Sequence, residues 1–283
     1  FSPGACSLSP HIVAREAGLP IDLVKTDIRG KTTANGLNFL DVLLALGAMP
    51  EDDDASAARL GWECSGRIVA IGAGVSGLHE GQEVIAVAPH AMASHVLVRR
   101  ELVTEKPAGM SWEQAATLPI AFMTAYHGLA QVGRLAPGER VLIHAASGGV
   151  GVAAIQWAQH VGAEIFATAG TEEKRERVRR LGVTHVFDSR SMSFSDEVRR
   201  ATGGEGIDVV LNSVSGDLLS AGFDLLRDHG RFIELGKRDY YENNRLGMRP
   251  FLRNLSFSLV DLRGMILKRP GVVGRILAEA LFA

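Results

Sequence analysis

The stretch HAASGGVGVAAIQWAQHVGA, His144 to Ala163, opens with small side chains and the glycines Gly148, Gly149 and Gly151, then turns apolar. Upstream, Val141, Leu142 and Ile143 form a continuous apolar run bounded by Gly138, which predicts a short buried strand. Downstream, Val152, Ile155, Gln156, Trp157 and Gln159 recur at helical spacing. The glycines therefore lie between a strand and a helix.

Beyond this unit the pattern repeats. A helix is expected over Trp112–Ala130 and a strand over Arg140–His144, then the glycine turn and its helix. There follow a strand at Glu164–Thr168, a helix at Glu172–Leu181, a strand at His185–Asp188 and a helix at Ser195–Thr202. The strand IDVVLNSV, a helix at Leu218–Leu226, and the strands GRFIELG and LSFSLVDL complete the block. Such alternation predicts a doubly wound parallel sheet with helices on both faces, whose ligands bind just past the carboxyl ends of the strands. Residues of about 37 to 112 instead carry short strand signals separated by glycines, as a small β-barrel-like domain does.

Composition narrows the function classes. With 283 residues and 46% hydrophobic content the chain can bury two modest cores. A net charge of −2 gives no electrostatic reason to expect nucleic acid or a membrane as partner, and no apolar run is long enough to cross a bilayer. The densest basic run, Arg175 to Arg180, is interleaved with Glu176 and Val178 and reads as a solvated helix face. Cys6 and Cys64 stand far apart, without Cys or His at metal-ligand spacing, so no metal is expected. Two lone cysteines and no secretory signal make the cytoplasm the default location.

A strand, a glycine turn and a helix in this order suit a dinucleotide. The turn needs a tight bend, close backbone approach to a pyrophosphate and close packing of helix on strand, posts held here by Ala145, Gly148 and Gly151. Ser147, Gly149 and Val150 lie in the same turn, and the helix would aim its free N–H groups at the phosphates. The alternative is an ordinary glycine-rich turn of an α/β protein. A site for NAD usually places an acidic residue at the end of the second strand, about 20 positions on. Here that strand ends in Ala169, Gly170 and Thr171, which leaves room for a 2′-phosphate that Lys174 and Arg190 would neutralise. NADPH is therefore expected over NADH, unless Lys174 is a plain surface lysine.

At this point the chain resembles a known family. GLNFLDVLLALG (Gly36 to Gly47), LGWECSGRIVAIGAGV, AATLPIAFMTAYHGL, HAASGGVG, HVFDSRSMSF, DVVLNSVSGD and GRFIELGKRDYYENNRLGMRPF followed by NLSFSLVDL are similar to the enoyl reductase domains of type I polyketide synthases. These are zinc-independent medium-chain dehydrogenases/reductases, and the likeness covers nearly all of residues 36 to 283. It implies an α/β fold: a Rossmann-type doubly wound parallel sheet over 113–283 and a smaller GroES-like β domain over 37–112, incomplete at its edges. Where zinc relatives carry Gly-His-Glu, this chain has Gly61-Trp62-Glu63, and tryptophan cannot replace imidazole as a ligand.

The resemblance implies hydride transfer from NADPH to the β-carbon of an α,β-unsaturated thioester, followed by protonation at the α-carbon. The substrate would be carried on an acyl carrier protein, among other synthase domains. Lys237 and Asp261 correspond to the proton-delivering pair, and both are expected just past strand ends; the alternative is a surface lysine and an unrelated aspartate. By the same matching Asn38, Thr124, Asn212, Ser213 and Gly236 are candidates for the nicotinamide and ribose, against capping and turn roles. Some relatives have a tyrosine acid where this chain has Met49, which cannot donate a proton. A stand-alone quinone or alkenal reductase and a cofactor-binding module without turnover are the alternative functions.

Residues 1–36 depart from that family and resemble instead the opening of a bacterial glutathione S-transferase, with Cys6 at the position that contacts glutathione. A piece of this size cannot bury a core alone. It is expected to be a fusion or assembly artefact, or a replacement for missing strands.

Overall fold

The computed structural model describes residues 34–46 and 60–282. It divides into two compact units, one from residues up to Met123 together with those from Leu262 on, the other from Thr124 to Asp261. Of the glutathione-transferase-like reading of residues 1–36, residues 1–33 with Cys6 lie outside the described residues, as does the Met49 position. No described helix is long and apolar enough to cross a membrane.

In the first unit an antiparallel sheet runs in chain order: β1 (Ala34–Gly36), β2 (Glu63–Arg67), β3 (Glu83–Val87) and β4 (Val103–Glu105). The last residues of the first sequence block are thus β1, paired with β2 through Asn35 and Cys64. Cys64 is buried with Ala86, Ala88 and Ala91, and its thiol is pushed up to about 11 by that burial and by the neighbouring Glu63. A thiol so placed is small core filling. Helix Pro270–Phe282 runs against the turn Arg100–Leu102, and at Gly274 a Cβ would meet the Glu101 carbonyl oxygen at 2.1 Å. Only glycine permits that approach.

The expected single helix over Trp112–Ala130 is corrected to three segments: Trp112–Ala116, Pro119–Tyr126 and a π-helical turn at His127–Val132. Pro119 has no N–H to continue the ladder, and its ring clashes with the carbonyl four residues back, so the first segment closes at Thr117. Ser111 and Gln114 form a reciprocal capping box at its start.

The second unit is the parallel sheet. Its strands are β5 (Arg140–Ile143), β6 (Glu164–Ala169), β7 (His185–Asp188), β8 (Ile207–Asn212), β9 (Leu226–Glu234) and β10 (Ser256–Leu259), in the order β10-β9-β8-β5-β6-β7. All neighbours are parallel. Helices Gly149–Val161, Glu172–Arg180, Ser193–Ala201 and Asp217–Asp224 alternate with the strands as the sequence predicts. Leu142, Phe166, Phe194, Ile207, Val210, Phe223 and Phe232 lie in one core cluster. Because the first three strands extend one way from β5 and the last three the other, the order reverses between β5 and β8, where sheets of this kind open a crevice. The His144 N–H donates to the Leu211 carbonyl (3.1 Å) and joins the two strand ends there.

Candidate functional site

At the carboxyl end of β5 the chain turns sharply. Ala145 has a φ of 50°, in the left-handed region, and the Gly148 N–H donates to its carbonyl (2.9 Å). Gly148 caps helix Gly149–Val161 from an extended conformation and offers no side chain, so the first-turn N–H groups are left for a ligand. At Gly151 a Cβ would fall 2.5 Å from Ala146 Cα and 2.6 Å from the Ala145 oxygen. The three posts read from the sequence are thus a left-handed bend, a bare cap and a side-chain-free packing point, in a turn that also holds Ser147, Gly149 and Val150. Beneath it His144 is buried, its Nδ1 paired with Thr168 Oγ1 at 2.9 Å, and burial pushes its imidazole down to about 4. A neutral imidazole at that depth links the ends of β5 and β6.

Past β6 the chain passes through Gly170 to Thr171, whose hydroxyl accepts the Lys174 N–H (3.3 Å) and caps helix Glu172–Arg180. The exposed Arg190 lies over Gly170: a Cβ there would meet Arg190 Nε at 3.0 Å. Its backbone is held by a hydrogen bond from the Arg190 N–H to Asp188 Oδ1 (2.8 Å). The structure also brings in Arg175, whose guanidinium donates to the Ala169 carbonyl (3.3 Å) and pairs with Glu172 and Asp188. Arg175 belongs to the run read as a solvated face. Arg179 and Arg180 of that helix do lie toward solvent, but Arg175 turns back to the strand end, a position that its spacing four residues after Thr171 would have indicated.

Past β8 and β9 lies a second group. Asn212 is fully buried, and its Nδ2 donates to the Val214 carbonyl (2.7 Å) and to Glu234 Oε2 (2.6 Å). The next residue, Ser213, is exposed. Gly236 donates its N–H to Glu234 Oε1 (2.5 Å). Lys237 follows, and its Nζ stands 2.5 Å from Asp261 Oδ1, where β10 has ended. The pair therefore forms, just past adjacent strand ends; Lys237 is 21% exposed and Asp261 49%.

In the other unit Asn38 caps helix Phe39–Ala45, its Oδ1 accepting the Leu40 N–H (3.2 Å) while Asp41 accepts the Asn38 N–H (3.0 Å). Asp41 also accepts the Gly61 N–H (2.6 Å), and the buried Glu63 accepts the Ile120 N–H (2.8 Å). Burial pushes Glu63 up to about 8, aided by the Asp41 charge and opposed by the Ile120 hydrogen bond. Thr124, the first residue of the parallel-sheet unit, sits half-buried on helix Pro119–Tyr126. Among the described residues no three His, Cys, Asp or Glu side chains gather as a metal site requires.

Known proteins resemble the chain in sequence and in fold. The family model described as "Alcohol dehydrogenase GroES-like domain" matches residues 25–110, and that described as "Zinc-binding dehydrogenase" matches residues 149–275. A phenolphthiocerol/phthiocerol polyketide synthase of Mycobacterium tuberculosis is 48% identical over 232 residues, which cover 82% of this chain and only 11% of the synthase. Among solved structures, the CurK enoyl reductase is 40% identical with a TM-score of 0.79, over 89% of this chain and 77% of that one. The nucleotide-binding subdomain of the PpsC enoyl reductase domain, also from Mycobacterium tuberculosis, is 49% identical with a TM-score of 0.57, over 59% of this chain and 93% of that one. With its parallel sheet, its glycine turn and this degree of identity, the chain belongs to the enoyl reductase domains of polyketide synthases, within the medium-chain dehydrogenase/reductase superfamily.

Proposed function

We propose that the chain reduces the α,β-double bond of an enoyl thioester with NADPH, the thioester being presented by an acyl carrier protein among the other domains of a synthase. The observation that carries the proposal is the Lys237–Asp261 pair, 2.5 Å apart past the ends of β9 and β10. The glycine turn fits a dinucleotide because Gly151 leaves helix and strand in contact and Gly148 leaves the N–H groups open. Arg190 over Gly170, with Lys174 in the next helical turn, supports a 2′-phosphate at the end of β6. NADPH, when bound, supplies the hydride that adds to the β-carbon.

The chain's own groups then manage charge and proton. As the β-carbon gains its hydride, negative charge develops on the thioester oxygen, and the Lys237 ammonium is the cation near the strand ends that answers it. The same ammonium gives its proton to the α-carbon. Asp261 holds Lys237 in place and, being half-exposed, connects it to water for reprotonation.

The test follows NADPH loss with crotonyl thioester and with a quinone. Lys237→Ala is expected to lower thioester turnover by about 10²- to 10⁴-fold. Quinone turnover retained in that variant, with no thioester reduction by the parent, would assign a quinone reductase. Tight NADPH binding with no turnover of either would assign a binding module.

A further inference from the structure

We infer that Glu234, outside the groups assigned above, is a positioning residue that sets Lys237 and Asp261 against each other by bonding to the residue before each. Its side-chain Oε1 accepts the Gly236 N–H at 2.5 Å, and its backbone carbonyl accepts the Val260 N–H at 2.9 Å. Gly236 precedes Lys237 and Val260 precedes Asp261. Its other oxygen, Oε2, accepts Asn212 Nδ2 at 2.6 Å, and the Leu235 N–H donates to the Asn212 carbonyl at 2.8 Å. One carboxylate thus joins the turn after β8 to the turn after β9, while its backbone joins β9 to β10. The inference rests on the proposed role of Lys237.

Two features argue against a passive carboxylate. A parallel strand covered on both faces takes apolar residues, and Glu234, 4% exposed, lies in such a run between Ile233 and Leu235. Burying it carries a desolvation cost that an apolar side chain would not. Gly236 is also fitted to it, because a Cβ there would stand 2.7 Å from Glu234 Oε1 and block the bond.

The carboxylate accepts from both N–H donors at full strength only when ionised. Burial pushes its pKa up to about 7, opposed by the Asn212 and Gly236 hydrogen bonds. The charged group that acts on it is Asp239 of helix Arg238–Tyr241, which raises it further; from β8 it meets the neutral Asn212. As pH falls through about 7 a proton occupies one oxygen, one of the two bonds is lost, and the Lys237 turn loosens.

The experiment compares the parent, Glu234→Gln, Glu234→Leu and Lys237→Ala between about pH 5.5 and 8.5. It reads kcat and KM for NADPH on crotonyl thioester, and the exchange of the Gly236 amide hydrogen. An amide at 234 accepts only one of the two N–H groups and turns a donor to the other. Glu234→Gln is expected to lower kcat about 10-fold with a smaller change in KM, and Glu234→Leu up to about 100-fold. The acid-side fall of the parent disappears in Glu234→Gln, and its Gly236 amide exchanges faster. Parent-like kcat and acid limb in Glu234→Gln, or an equally protected Gly236 amide, would overturn the inference. Should neither variant fold, Gly236 protection in the parent decides: a loss below about pH 7 supports the tie, and constant protection overturns it. Failure of the parent to reduce the thioester, or full turnover in Lys237→Ala, removes the reductase reading instead, and the amide exchange still decides the tie.

Discussion

At Gly151 any side chain must displace backbone, since its Cβ would stand 2.5 Å from Ala146 Cα. The helix behind the glycine turn would have to lift from β5, and the turn that aims its N–H groups would move with it. Gly151→Val is therefore expected to cost about 1–3 kcal/mol of stability. It should also weaken NADPH binding at least tenfold, as measured by thermal unfolding and by titration; a loss of stability with unchanged affinity would separate the packing role from the cofactor role. The packing role of Gly151 was legible because strand, glycines and helix follow one another in the chain. That of Glu234 was not singled out, although its place between Ile233 and Leu235 in a strand of a parallel sheet was the available signal: a carboxylate there has no solvent face to occupy. Arg175 went unnoticed for the opposite reason, since a basic run on a helix gives no sign of the one residue whose side chain reaches back to a strand end.

Among the elements, strands β5 to β10 and the helices between them are written in the sequence as apolar runs with glycine boundaries, and the structure keeps nearly all of them. Departures occur where a backbone constraint acts inside a periodic segment, as Pro119 does in the stretch read as one helix. The segment Gly36–Asp41 shows a constraint of another kind: its helix cap, Asn38 with Asp41, sits in the same unit as the buried Glu63. Glu63 is raised from an ordinary 4.5 to about 8, so the folded unit holds a proton that the unfolded chain releases between those values. Stability contributed by the protonated form is present below pH 4.5 and falls as pH rises to about 8. The slope approaches about 1.4 kcal/mol per pH unit at most. Glu63→Gln keeps an acceptor for the Ile120 N–H and cannot ionise, and it is expected to flatten this decline, raising the unfolding midpoint more at pH near 8 than near 5. Equal gains at both pH values would show that the carboxyl does not titrate in the fold.

For the whole molecule, the strand order decides where a ligand lies, and order is the property least visible in a linear chain. Alternating strands and helices fix a parallel sheet, but they do not say that β8 returns beside β5 to split the order β7-β6-β5 from β8-β9-β10. That split puts the glycine turn, the Arg190 side chain and the Lys237 turn at the carboxyl ends of strands of a single sheet in residues 124–261. A dinucleotide bound there adds its binding free energy to the folding of that unit, about 2.7 kcal/mol when present at a hundred times its Kd. Unfolding followed with and without ligand is expected to show NADPH stabilising the unit more than NADH at the same concentration, because only NADPH carries the 2′-phosphate proposed for Arg190. In Arg190→Ala the NADPH gain should drop by about 1.5–3 kcal/mol, the worth of a charge-assisted bond, while the NADH gain stays the same. Arg190 is exposed and lies over Gly170, so its removal leaves the sheet core intact, and the gain on adding ligand is read against each protein's own ligand-free midpoint. Equal stabilisation of the parent by both dinucleotides would remove the phosphate from the end of β6 and, with it, the preference for NADPH.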